Sequence, residues 1–190
     1  MQHEATPTRF SALIFRGKAT LLQMRRAWQD TADGIARYPS GNIADFPFVI
    51  AETRTPLWSH NTATEWMLQA GKVQNLRCAL RRLYGARIPA DGTFSFWKQV
   101  GQATRRRSFA EGRLLREGCL MPAIGGGLCQ LSNALYDVAL QADLPIVERW
   151  GHSNIVPDSA AASGRDATIA WNYIDLRFRP TKDVLIEAFL

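Results

Sequence analysis

Apolar positions along this chain recur with two different periods, and the switch between them marks out its elements. From residue 8 to 30, Phe10, Leu13, Ile14, Leu21 and Trp28 return at helical spacing, with Arg16, Lys18, Arg25 and Arg26 elsewhere on the surface, which predicts an amphipathic helix. The expected use of its apolar face is packing on the domain; contact with an anionic membrane is the less expected alternative. Residues 34 to 60 contain several turn formers, including "YPSGN" and "DFP", around one short apolar run, "FPFVI", read as a strand. The clearest helix is "NTATEWMLQAGKVQNLRCALRRLYG". Thr62 and Glu65 fit a capping box, Trp66, Ala70, Val73, Leu76, Leu80 and Leu83 form one stripe, and Gly85 is a stop. Cys78 lies off the centre of that stripe and reads as packing.

The second period follows. After the Asp91-Gly92 turn, Phe94 and Phe96 alternate as in a strand. The triple arginine at 105 to 107 reads as a solvated loop. Beyond "IGGGLCQ", Leu131, Leu135, Val138, Ala139 and Ala142 mark one face of a helix running to about Gln141, and "PIVERW" reads as a strand. "DATIAWNYIDLRF" and "VLIEAFL" close the chain as strands. In the first, Ile169, Trp171 and Tyr173 share one parity while Ile174, Leu176 and Phe178 take the other, so a bulge near Tyr173 is expected. Helices come mainly first and strands last. That order predicts an α+β fold, its helices packed on a mostly antiparallel sheet, with an N-terminal extension over 1–54 and a domain over 55–190.

Composition narrows the picture. An apolar fraction of 46% over 190 residues supports a real core. The net charge is +6, with lysine only at 18, 72, 98 and 182 among 23 basic residues. This charge, with one arginine run and no aromatic interleaving, is too little to argue for nucleic-acid binding. The three cysteines, Cys78, Cys119 and Cys129, do not suit a disulfide framework, and no stretch approaches a membrane span. No signal-like apolar run ends in a small-residue cleavage site, so a cytoplasmic, reduced protein is the expectation. The cysteines and histidines lack zinc-type spacing, and the glycines lack a phosphate-loop or dinucleotide pattern, so no metal or cofactor is expected.

The candidate chemistry centres on Cys129. Three glycines, Gly125, Gly126 and Gly127, lead into it just where the helix begins. Unpaired amides and the positive end of the helix dipole would favour a thiolate there. The glycines permit positive φ, and their amides, with Gln130, are candidates to receive an oxyanion. A cysteine nucleophile needs a base and an orienter. Of the three histidines, His3 lies in a tail, His60 leads into a helix, and His152 follows a strand in "WGHSN"; "GRDAT" then supplies Asp166. Cysteine at a helix start, then strand, His and Asp is the layout of papain-like and transglutaminase-like enzymes. The alternative is a tight turn followed by a buried cysteine that only packs.

The stretches "GTFSFWKQVG" (92–101), "GGGLCQLSNALYDVAL" (125–140), "ERWGHS" (148–153) and "GRDATIAWNYIDLRFR" (164–179), with "QAGKVQNLRCALRRLYG" (69–85) as lead helix, resemble the VanW family, named for an accessory protein of vancomycin B-type resistance clusters. The resemblance spans roughly residues 55 to 190. It implies an association with glycopeptide resistance and the bacterial envelope. Many members look secreted or anchored and carry extra wall-binding modules, which this sequence does not display; a cytoplasmic role on a peptide or peptidoglycan precursor is then open. Two functions follow. One is thiol-dependent hydrolysis or acyl transfer on a peptide-like substrate, with Cys129 attacking, His152 shuttling the proton and Asp166 orienting it. The other is a binding module in which the glycine turn and Arg165 grip a carboxylate, such as a peptide C-terminus, around a structural Cys129.

Overall fold

The computed structural model describes residues 9–58, 66–116, 119–152 and 163–190. Helix α2 (Trp66–Leu83) lies at its centre. Its buried residues include Val73, Leu76, Ala79, Leu80 and Leu83 but also Gln69, Lys72 and Asn75, so the helix is covered on more than its apolar stripe. Trp66 instead lies largely exposed and stacks on Trp58, ring centroids 5.0 Å apart. The capping pair Thr62 and Glu65 lies outside the described residues, as does His60.

The strands are short and every pairing among them is antiparallel. Strand β1 (Ala86–Ile88) pairs with β7 (Val184–Ile186). Strands β2 (Phe94–Ser95), β6 (Arg177–Phe178) and β5 (Ile146–Glu148) form a three-stranded sheet in that order. A hairpin of β3 (Glu111–Arg116) and β4 (Cys119–Ile124) packs against α2, close enough that a Cβ at Gly71 would run into the Glu111 carbonyl. Helix α4 (Leu128–Gln141) buries Leu128, Leu131, Leu135 and Ala139 in the same core as Phe94, Phe96, Leu176 and Phe178. The fold is α+β.

Five sequence expectations change. Ser95 ends its strand by capping the short helix α3 (Phe96–Val100), its Oγ accepting from the Lys98 amide, so Phe96 opens a helix although both phenylalanines are fully buried. The parity switch in "IAWNYID" is a turn rather than a bulge. Ala170 bridges Ile174 across Trp171–Tyr173, with Asn172 at φ 54°, a conformation asparagine tolerates better than most residues. The run 46–50 is not a strand, and Phe48, Val49 and Ile50 are exposed. The β3–β4 hairpin was not expected, because paired Leu114-Leu115 and Leu120-Met121 hide the alternation.

The fifth change concerns α1 (Arg9–Ala32), which, over its described side chains, docks through polar rather than apolar residues. Leu21, Met24 and Trp28 are exposed at 68%, 64% and 72%. On the opposite face, Arg26 pairs with Glu148 (2.7 Å) and Asp30 with Arg177 (2.6 Å), and Gln23 donates to the Trp171 carbonyl. No described helix is long and apolar enough to cross a membrane.

Candidate functional site

The glycine turn places α4 on the edge of α2. Gly125 and Gly127 have φ of 80° and 92°, which only glycine adopts without strain. Gly126 serves a different purpose: a Cβ there would strike the Gly112 carbonyl, so two backbones meet without side chains between them. Buried Asn75 of α2 fastens the turn. Its amide donates to the Gly126 carbonyl (2.9 Å) and the Ala110 carbonyl (3.1 Å), and its Oδ1 accepts from the Ala110 amide (2.8 Å). Helix α4 starts at Leu128 with no side-chain cap, and Cys129 sits half-buried in its first turn. The Cys129 amide lies in the first turn of α4, where amides lack an i−4 partner within the helix.

The same helix positions the rest of the site. Three and four residues after Cys129, Ser132 donates its hydroxyl to the Ala167 carbonyl (2.5 Å) and Asn133 accepts from the Ala167 amide (2.7 Å). Both contacts hold the residue next to Asp166. The Asp166 Oδ2 accepts from the His152 amide (2.6 Å) and ring Nδ1 (2.7 Å), and Oδ1 accepts from Arg149 Nη2 (2.5 Å). Arg149 also donates through Nε to the Asp166 carbonyl (2.6 Å), and its guanidinium lies 5.3 Å from the Tyr136 ring centre. Burial works to raise the Asp166 carboxyl, but the His152 donors and the Arg149 charge outweigh it and hold it below the usual range.

With Nδ1 engaged by Asp166, His152 keeps Nε2 for Cys129, to whose side chain it is hydrogen-bonded. That contact is the largest influence on the imidazole. Burial opposes it, Asp166 reinforces it, and the ring is pushed up from 6.5 to about 9. An imidazole so placed is protonated at neutral pH.

The structure therefore brings Cys129, His152 and Asp166 together. It places the other candidates differently. The amides of Gly125 and Gly126 donate to the Ala110 and Ala123 carbonyls, so they are not open to an oxyanion. Gln130 donates to Thr55 Oγ1 (3.0 Å) and the Pro56 carbonyl (2.9 Å), tethering the 53–58 segment to the helix start. Arg165 pairs with Asp137 (2.5 Å), two helical turns beyond Cys129. Ser132, Asn133, Tyr136 and Arg149 were not singled out from the sequence. Their one signal is spacing: the first two fall at i+3 and i+4 from Cys129, and Arg149 precedes His152 by three.

These features define an α+β protein with a Cys–His–Asp constellation at the start of a helix. The chain belongs to the VanW family, linked to vancomycin resistance, whose model, described as VanW like protein, matches residues 71–189. It is 38% identical over 149 residues to the vancomycin B-type resistance protein VanW of Enterococcus faecalis, covering 76% of this chain and 54% of that protein. It is 39% identical over 98 residues to the uncharacterized protein YoaR of Bacillus subtilis, covering 50% of this chain and 32% of that protein. The chain thus spans about half the length of the first of these relatives and a third of the second. No solved structure matches it.

Proposed function

We propose that this protein is a thiol-dependent hydrolase or acyl transferase acting on a peptide-like substrate. The observation that carries the reading is the His152 ring, held at Nδ1 by Asp166 and facing Cys129 with its other nitrogen. In this reaction the Cys129 sulfur attacks the substrate carbonyl carbon, and the electrons of the C=O bond move to oxygen. Collapse of that intermediate breaks the bond to the leaving amine, which takes a proton from His152, and leaves a thioester on Cys129. Water or an acceptor amine, deprotonated by His152, then attacks the thioester and releases the thiol. The first-turn amide of Cys129 would receive the developing oxyanion.

The resistance linkage of the relative VanW supports a peptidoglycan precursor as the peptide-like substrate and an envelope-related role. The proposal includes a cytoplasmic site of action, where Cys78 and Cys129, both free thiols, stay reduced. The binding-only alternative has less support, because Arg165 and the amides of Gly125 and Gly126 are already partnered.

Alkylation by iodoacetamide tests the reading. The thiolate is the species that reacts, and a neighbouring imidazole increases its reactivity. Cys129 is expected to label faster than Cys78 at pH 7, and to lose this advantage in His152→Ala. Labelling of Cys129 no faster than Cys78 in the folded protein would overturn it.

A further inference from the structure

Lys72 is a buried lysine with no carboxylate partner among the described residues. The residue is 7% exposed, and no hydrogen bond or ion pair joins it to any described residue. Several other buried and half-buried cations have a carboxylate: Arg26 faces Glu148, Lys98 and Arg177 face Asp30, and Arg149 faces Asp166. Lys72 lies on α2 with its stem against Gly127, where a Cβ would strike its Cγ. Gly127 is the N-cap of α4 and stands two residues from Cys129, no more than about 7 Å of chain. Burial and then the nearby charge of Arg113 hold the Lys72 ammonium below its usual value. The positive end of α4 adds to the same potential.

We propose that Lys72 and the N-terminus of α4 form an anion site beside Cys129 that binds a carboxylate of the substrate. This deepens the reading above and rests on it: the peptide-like substrate is one that carries a carboxylate close to the bond attacked, as a C-terminal amino acid does. Binding there would offset the cost of burying Lys72 and align the scissile carbonyl with the sulfur.

Two alkylating agents of almost the same size separate this claim from the reactivity of the thiol. Iodoacetamide is neutral and reports the thiol alone, whereas iodoacetate carries the carboxylate. At low ionic strength the iodoacetate-to-iodoacetamide rate ratio at Cys129 should exceed that of 2-mercaptoethanol by about tenfold, the size expected of one close charge pair. In Lys72→Met the ratio should fall close to the small-thiol value. His152 is present in both proteins, so its charge cancels from the comparison. An unchanged ratio in the folded variant overturns the anion site. Should Lys72→Met fail to fold, the wild-type protein decides. N-acetylglycine should slow iodoacetamide labelling and N-acetylglycinamide should not; equal protection by both, or by neither, overturns the proposal. Labelling that fails with iodoacetamide itself counts against the thiol reading instead, and N-acetylglycine binding measured by calorimetry then decides the anion site directly.

Discussion

Asp166 shows how much one carboxylate organises at this site. Its two oxygens take the His152 amide, the His152 ring and the Arg149 guanidinium, and its backbone is pinned by Ser132 and Asn133 through Ala167. The imidazole therefore has one orientation, with Nδ1 taken by Asp166 and its other nitrogen left to Cys129. If the three residues work as a unit, Cys129→Ser keeps the fold and abolishes acyl transfer, and His152→Ala costs about as much as both changes together, because such losses do not add. Rates from single and double variants, beside thermal melts, check this. An unchanged rate with a melt lowered by about 1–3 kcal/mol would mark a structural thiol instead. Protonation makes a second prediction at this scale. His152 is raised from 6.5 to about 9 by folding, so the folded state binds this proton more tightly than the unfolded one. Its contribution to stability is complete below about pH 6.5 and disappears as the pH rises through about 9. Asp166, held low, contributes in the opposite sense: its stabilisation is present above its unfolded value and is lost as acid protonates it. Urea denaturation at pH 6.5 and 9.5 should show a larger loss in the wild type than in His152→Gln.

At the scale of elements, α2 and α4 meet through a turn that neither could hold alone. The contact depends on Gly126 lying against Gly112 and on Asn75 bonding two segments at once. Asn75→Ala removes three bonds from a site with no water-exposed alternative, and about 2–4 kcal/mol of destabilisation is expected. Chemical denaturation measures it, and a loss under about 1 kcal/mol would show that the turn holds itself. The start of α4, its buried face and the Cys–His–Asp set were legible in the sequence, because helical period, glycines and sparse histidines are local signals. What the glycines do was not. Gly126 is needed for backbone contact with Gly112, fourteen positions earlier, which no local pattern records. For the same reason Ser95 as a helix cap and Asn172 as a turn centre were hidden inside stretches that alternate like strands. The sequence suggests Arg165, and not Arg149, as a grip for an anion. Only the fold shows that one pairs with Asp137 on the surface while the other clamps Asp166.

Across the whole molecule, a buried ion network joins the first helix to the sheet behind the site. Arg177, 6% exposed at its side chain, donates to Asp30 (2.6 Å) and Asp175 (2.9 Å), and Asp175 accepts in turn from Ser95 Oγ (2.5 Å) and the Trp97 amide (3.2 Å). Glu148 takes Arg26 of α1 and the Asp175 amide, and it immediately precedes Arg149. Burial works to lower the Arg177 guanidinium, but Asp175 and Asp30 outweigh it and hold it above its usual value. The sequence presented α1 as an apolar face seeking a core; its structural use is the Asp30 carboxylate and the Arg26 guanidinium, set on the other side of the same helix. An attachment of this kind makes α1 part of the cooperative unit. Replacing Asp30 by Ala removes one of the carboxylates that pair with buried Arg177, and losing such a charged hydrogen bond costs about 1.5–3 kcal/mol. A single, lowered melting transition is therefore expected for Asp30→Ala, with amide exchange accelerated at residues 94–97 and 175–178 together. Loss of α1 in a separate early transition, with exchange in those strands unchanged, would show that the helix is merely appended and that the network stabilises the sheet without it.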